Sequence, residues 1–233
     1  TGSIVVDGTS AEDIHTTSGD VLVSATGPTA DVLTGNDTIA YAIASGAGNV
    51  TIMAGRDVLL GDPGTGRYGD VGANGNLLIT AGRDVVVDED TFVEANGTGT
   101  LTVTAGRDVS VLATGASGSH LTTSGGTITI TTGAGGVLTV TSGSTSAIDS
   151  TNAGADGAIT INADDVVIDA VSNVNSGTGT TTIRQVTGTR AVDLGTDTPG
   201  TLGLTDAELD QINAALLRIG AAANAGNITF TAA

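Results

Sequence analysis

A five-residue corner recurs almost unchanged in this chain, as Ala54-Gly55-Arg56-Asp57-Val58, Ala81-Gly82-Arg83-Asp84-Val85 and Ala105-Gly106-Arg107-Asp108-Val109. The residues on either side of each copy alternate apolar and polar, so the repeating object is strand, corner, strand. The copies stand 27 and then 24 residues apart, a spacing at which self-similarity means stacked units rather than one globular core. That predicts the coils of an all-β solenoid. Weaker copies run from Ile128 to Val137, with Thr132-Gly133-Ala134-Gly135 at the corner, and from Ile159 to Val166, with Ala163-Asp164-Asp165. Stretches from Gly19 to Ala25, Ala40 to Ile43 and Thr181 to Val186 read as degenerate strands. Together they predict about eight or nine rungs and a rod of roughly 40 Å. A solenoid grows along one axis without dividing, so residues 1–233 are expected to form a single domain.

Aligning the copies shows which side chains face inward. Val50, Ile52 and Ala54 match Leu77, Ile79 and Ala81, and again Leu101, Val103 and Ala105. Past the corner, Val58 and Leu60, Val85 and Val87, and Val109 and Val111 resume the inward set. The Ala before each corner is small where the backbone turns, and Gly55, Gly82 and Gly106 are expected to supply backbone angles that a side chain would forbid. With two Phe, two Tyr and no Trp, a large aromatic core is excluded and thin rungs of β-branched residues are favoured.

Stacking has an electrostatic consequence. Rungs about 4.8 Å apart would place Arg56, Arg83 and Arg107 in one column and Asp57, Asp84 and Asp108 in the next. Like charges that close repel, whereas interleaved columns neutralise each other. The pattern reads as a structural ladder, with a ligand-binding strip as the alternative.

One segment breaks the repeat. Leu204 to Leu217 follows Pro199-Gly200 and carries Thr205 and Glu208 at capping-box spacing, with Leu209, Ile212 and Leu216 on one helical face. It predicts a short helix inserted over about 204–217, laid on the rod's side or over an edge, or else docking a partner. After it, Gly226 to Ala232 matches Gly48 to Ala54 in polarity, while Thr1 to Asp7 looks like the corner and second strand of a rung, comparable with Arg56 to Asp62. Joined tail to head, the ends are expected to complete one rung, as in one unit of a longer rod.

The unit (I/V/L)-x-(I/V)-x-A-G-R-D-V-x-(V/L), at Val50 to Leu60, Leu77 to Val87 and Leu101 to Val111, resembles the repeats of filamentous haemagglutinin-like bacterial exoproteins. Leu202 to Asp210, followed by Leu217-Arg218-Ile219-Gly220 and Gly226-Asn227-Ile228, looks like the junction segments of giant repetitive surface adhesins in that group. The resemblance implies a right-handed parallel β-helix, export to the cell surface, and a role in adhesion, biofilm or surface fibres. Its partners would be adjacent repeats or copies of itself end to end, and a host or matrix ligand. A self-assembling filament or sheath subunit is the alternative.

Composition narrows the rest. The net charge is −18, with seven Arg and no Lys, which disfavours nucleic acid because phosphate binding needs a basic stripe. There is no Cys, hence no thiolate metal site. No apolar run reaches the ~20 residues of a membrane span, and the opening residues lack a signal pattern, which predicts a mature chain or an excerpt. Enzymes on parallel β-helices need placed carboxylates and sugar platforms. Here Tyr41, Tyr68, Phe92, Phe230 and two separate histidines, His15 and His120, predict a non-enzyme, with a polysaccharide-active enzyme as a minor alternative. Asp88, Glu89 and Asp90 with Glu94 could offer oxygen ligands to Ca²⁺, against a solvated loop; no other cofactor is expected. Outward Thr102, Thr104, Thr129, Thr131, Thr139 and Thr141, with Thr51, Thr80 and Thr160, suggest a flat threonine array like an ice-binding face, although Met53, Leu78 and Asn162 interrupt it.

Overall fold

The computed structural model describes residues 2–8, 13–35, 41–112, 118–152 and 154–231. Ala40, Thr1 and Ala232, which the sequence reading assigned to strands or ends, lie outside them. The chain advances three strands per coil. The first coil holds β1 (Ile4–Val6), β2 (Ile14–Thr16) and β3 (Val21–Ala25), and the second β4 (Val32–Thr34), β5 (Ile43–Ser45) and β6 (Val50–Ala54). The third holds β7 (Val58–Leu60), β8 (Val71–Ala73) and β9 (Leu77–Ala81), and the fourth β10 (Val85–Val87), β11 (Phe92–Ala95) and β12 (Leu101–Ala105). Next come β13 (Val109–Leu112), β14 (His120–Thr123) and β15 (Ile128–Thr131), then β16 (Val137–Thr141), β17 (Ile148–Asp149) and β18 (Ile159–Asn162). The seventh coil has β19 (Asp165–Ile168) and the long β20 (Val174–Arg184), which supplies two faces in one strand.

Like strands of successive coils pair in parallel and in register. Face 1 is a 7-stranded sheet from β1 to β19. Face 2 runs β2, β5, β8, β11, β14, β17 and face 3 runs β3, β6, β9, β12, β15, β18, the two joined through β20. The chain is therefore an all-β solenoid, as expected. It has about six regular turns, fewer than the eight or nine predicted, and at about 4.8 Å per step these span about 29 Å. The shortfall arises because residues beyond Arg184 do not repeat the simple coil.

The inward set is the one read from the sequence. Val23, Ile52, Ile79, Val103, Ile130, Ile161 and Ile183 stack in one column of face 3, and all are buried. Gly55, Gly82 and Gly106 are needed for a different reason than expected, because none has a positive φ. They sit where one corner backbone lies on the next. A Cβ on Gly82 would lie 2.2 Å from the Gly55 carbonyl oxygen, and one on Gly106 2.1 Å from that of Gly82. The spacing between copies varies at the other two corners, where residues 61–70 join β7 to β8 but only 88–91 join β10 to β11, and 74–76 join β8 to β9 but 96–100 join β11 to β12.

The last part of the chain departs from the repeat. From β20 it enters β21 (Val192–Gly195), loops back into β22 (Leu202–Thr205), passes through α1 (Asp206–Leu209), and continues as β23 (Ile212–Ile219) and β24 (Ile228–Phe230). The capping box is present, with Thr205 and Glu208 each bonding the other's backbone N–H, but the helix is one turn long. Residues 212–217, expected to be helical, form a strand. Ile212, Leu217 and Ile219 fall opposite Val174, Thr181 and Ile183 of β20, and the ladder outweighs the helical spacing of Leu209, Ile212 and Leu216. Leu216 consequently points outward and is exposed.

β22 lies beside β19, and β21 is hydrogen-bonded between β22 and β24. The tail strand β24 pairs with β21, and not with the face 3 strands to which β6, whose polarity pattern it matches, belongs.

Close corner packing makes a measurable demand. Gly106→Ala is expected to destabilise by about 1–3 kcal/mol, as overpacking does, whereas Gly188→Ala, which has no atom within 4 Å of its added Cβ, should be near neutral. Urea melts of the two variants compare them directly.

Candidate functional site

The corner between faces 3 and 1 carries the Arg and Asp columns. Each arginine forks onto the aspartate of the preceding coil. Arg56 Nε donates to Asp31 Oδ1 at 2.7 Å, Arg83 Nε to Asp57 Oδ1 at 2.7 Å, and Arg107 Nε to Asp84 Oδ1 at 2.8 Å. In every case the second guanidinium nitrogen bonds the other carboxylate oxygen. The same Oδ1 atoms accept the backbone N–H of Asp57, Asp84 and Asp108, and Asp108 accepts that of Val137 at 2.9 Å. The columns therefore interleave with an offset of one coil, in bidentate geometry. Asp31 begins the ladder although no Gly-Arg precedes it; the shared Asp-Val-Leu of 31–33 and 57–59 was the available signal. Buried Asp164 takes the corner role two coils beyond Asp108, accepting Gly135 N–H at 2.6 Å from below and Thr187 N–H at 2.7 Å from above.

The ladder favours the ionised form of Asp31 and of Asp84. The Arg56 fork lowers the Asp31 carboxyl below the usual carboxylate range, against a smaller opposing effect of burial. Burial alone would raise Asp84, but the Arg107 fork and the Asp108 N–H together outweigh it and lower the carboxyl. All three guanidinium groups are shifted up by their carboxylate partners.

Face 2 differs from the other two faces in what it turns outward. His15, Ala44, Gly72, Glu94, Thr122, Asp149, Asn175 and Asn213 form one register column. Tyr41 lies over Gly72, where a Cβ would meet its ring at 2.6 Å, and donates its hydroxyl to Glu94 Oε2 at 2.6 Å. Burial, followed by this bond, raises the Tyr41 hydroxyl well above its ordinary value. Phe92 and His120 stack with ring centroids 4.5 Å apart and planes 7° apart. His120 Nδ1 is 3.0 Å from the Ser146 carbonyl oxygen. That oxygen can only accept, so Nδ1 carries the proton and Nε2 of the neutral ring is an acceptor. The histidines are thus not scattered: both belong to face 2, with two of the four Tyr and Phe rings. A groove runs here, lined by Phe92, Glu94, Asn96, His120, Thr122, Ser146, Asp149 and Thr151 among others. A smaller recess holds His15, Tyr41, Asn74 and Asn96.

The remaining sequence candidates are placed as follows. Asp88, Glu89 and Asp90 are buried at the β10–β11 corner, with Glu89 and Asp90 at φ 53° and 57°. They serve backbone groups: Glu89 accepts Gly64 N–H, Asp90 accepts Gly118 N–H at 2.7 Å, and Asp88 accepts Glu89 N–H. Glu94 points away to Tyr41. Among the described residues no group of three or more His, Asp and Glu side chains is arranged to hold a metal ion, so the calcium candidate is not assembled, and the run is not a solvated loop either.

The threonine array is real but smaller than expected. Thr102, Thr129, Thr160 and Thr182 stack in one outward column of face 3, and Thr80, Thr104 and Thr131 in the next. Thr139 and Thr141 lie on β16 of face 1 instead, because one corner, residues 132–136, and not a whole coil, separates them from Thr129 and Thr131. On face 1, Val5, Leu33, Leu59 and Val86 form an outward apolar column beside the Arg67–Asp7 ion pair of 2.6 Å.

Asp70 links the rings to stability. It accepts the Phe92 N–H at 2.7 Å, and burial, aided by Glu94 and opposed by that bond, pushes its carboxyl up to about 6. A raised carboxyl binds its proton more tightly in the folded state, so its contribution grows as pH falls through 6 towards 3.8. Asp31 and Asp84, being lowered, lose theirs only as pH falls below 3.8. Melting temperature is expected to rise from near pH 7 to near pH 5 and to fall below about pH 4. Asp70→Asn should remove on the order of 1–3 kcal/mol of the first change, read as a smaller pH 7 to 5 gain. Arg83→Ala is expected to lower the melting temperature by less than Gly106→Ala, with less effect in high salt. Arg83→Lys should restore only part, since an ammonium cannot fork.

Among the described residues no helix is long and apolar enough to cross a membrane. No protein-family model, curated protein or solved structure matches this chain.

Proposed function

We propose that the chain is a stiff segment of an extracellular bacterial surface protein, acting in adhesion or biofilm as part of a longer rod. The observation that supports this most is the unbroken in-register pairing of coil on coil, reinforced along one edge by the Arg–Asp ladder. Axial hydrogen bonding with stacked apolar columns resists bending, and each coil adds length without a new core. The net charge of −18 keeps such rods apart in solution. The corner repeats and the junction-like stretch from Leu202, similar to those of filamentous haemagglutinin-like exoproteins, add the surface location. On this reading the chain has a mechanical and presenting role, and is not an enzyme.

A filament subunit is the second reading, favoured by the exposed apolar side chains Leu216, Ile228 and Phe230 on β23 and β24, which another copy's strands would cover. Small-angle scattering and sedimentation over a concentration series separate the two. A rod segment gives an elongated particle of constant mass near 22.5 kDa. Growth in mass and length with concentration would favour the filament, and a compact or flexible particle would defeat both readings.

A further inference from the structure

We infer that face 2 binds a neutral oligosaccharide, laid along the rod axis in the groove beside the Phe92–His120 stack. The inference rests on the adhesive reading and names the ligand class that such a rod would present a site for.

The groove combines the two kinds of surface a sugar needs. Its floor is Glu94, Thr122 and Asp149, which follow one another in register on β11, β14 and β17 at about 4.8 Å per step. Its apolar wall is the stacked pair of rings, Phe92 and His120. Pyranose rings offer C–H groups on one side and hydroxyls at the rim, which suit an aromatic wall and a polar floor respectively.

The floor groups are already oriented. Tyr41 holds Glu94 from one side. Asp149 accepts the Thr151 N–H and hydroxyl, both at 2.7 Å, and the Asn175 amide at 3.1 Å. Carboxylates fixed as acceptors in this way bind hydroxyl donors without an ordering cost. His120, oriented by its bond to Ser146, adds the Nε2 acceptor. The register along the axis matters as much as the groups, because Glu94, Thr122 and Asp149 present a side-chain oxygen at each of three successive coils.

Charge selects among glycans. Two carboxylates on the floor, on a chain of net charge −18, repel uronate, sulfate and phosphate groups. A neutral chain meets no such cost. Nor does strand propensity account for the composition of this face: rings, amides and acids succeed one another here, where face 3 repeats threonine.

The test uses cellohexaose, chitohexaose and maltohexaose as probes, with an oligogalacturonate as the anionic comparison, followed by calorimetry and by amide NMR on the intact chain. At least one neutral hexasaccharide is expected to bind, with shifts confined to residues 92–96, 120–124 and 146–151. Phe92→Ala should weaken it at least about tenfold, as loss of an aromatic anchor does. Thr122→Arg, which fills the floor from an outward position and leaves the core alone, should abolish binding while the melting curve is unchanged. Failure of every neutral probe, equal binding of the oligogalacturonate, shifts elsewhere, or indifference to Thr122→Arg would each overturn the inference. Scattering from the same sample reports the rod independently, so a particle that is elongated but takes no sugar removes the groove and leaves the rod reading standing.

Discussion

In-register parallel pairing between successive coils is the constraint on which the rest of the structure depends, because it sets like residues on like. For Val, Ile and Leu the result is favourable, since columns such as Val50, Leu77, Leu101 and Ile128 bury a continuous apolar seam with no large side chains. For charges the same rule is costly, as arginine would fall on arginine. The chain resolves this by an offset of one coil: each guanidinium reaches back to the previous aspartate, whose Oδ1 also receives the next aspartate's N–H. The carboxylate thus joins two coils twice, through a side chain and through a backbone. The Gly-Arg-Asp repeat therefore ties each coil to the next through both side chain and backbone.

The two kinds of corner do different work. At the corner between faces 3 and 1 the backbones lie so close that only hydrogen fits on Gly82 and Gly106, and the length there stays constant through the three strong copies. Between faces 1 and 2 the connections range from 88–91 to the longer 61–70 with its Asp62–Arg67 bridge. Insertions are absorbed at this second corner without disturbing the ladder. Face 2, which follows it, therefore carries residues that are not dictated by the repeat.

That division explains what was legible in the sequence. The strong copies revealed the solenoid, its inward residues and the Arg and Asp columns because their spacing is tight and their chemistry identical. Face 2 stayed hidden because Tyr41, Phe92 and His120 fall at unequal intervals set by the variable corner, so no period brings them together on paper. His120 looked solitary only in one dimension. The region beyond Arg184 misled for another reason. Thr205 and Glu208 do form a capping box, but a capping box specifies a first turn and not a length, and the edge of β20 captures Ile212 to Ile219 as a strand. The match of the tail to Val50–Ala54 was a match of alternation, and alternation is shared by all three faces.

Faces 2 and 3 differ in how much of their outward composition strand formation explains. The threonine columns of face 3 are what β-branched preference alone would place on an exposed sheet, and they are interrupted by Leu78, Met53 and Asn162 at positions where a flat lattice would need them intact. Nothing in strand formation asks for a buried Asp70 with its carboxyl raised to about 6, a tyrosine hydrogen-bonded to a glutamate over a glycine, and a phenylalanine stacked on a histidine. These features add desolvated charge to a face that threonine or valine would serve more stably. A chain that retains them on one face, while its other faces follow the repeat, concentrates its departures from stability there, and that concentration is the reason the proposed sugar site is placed on face 2.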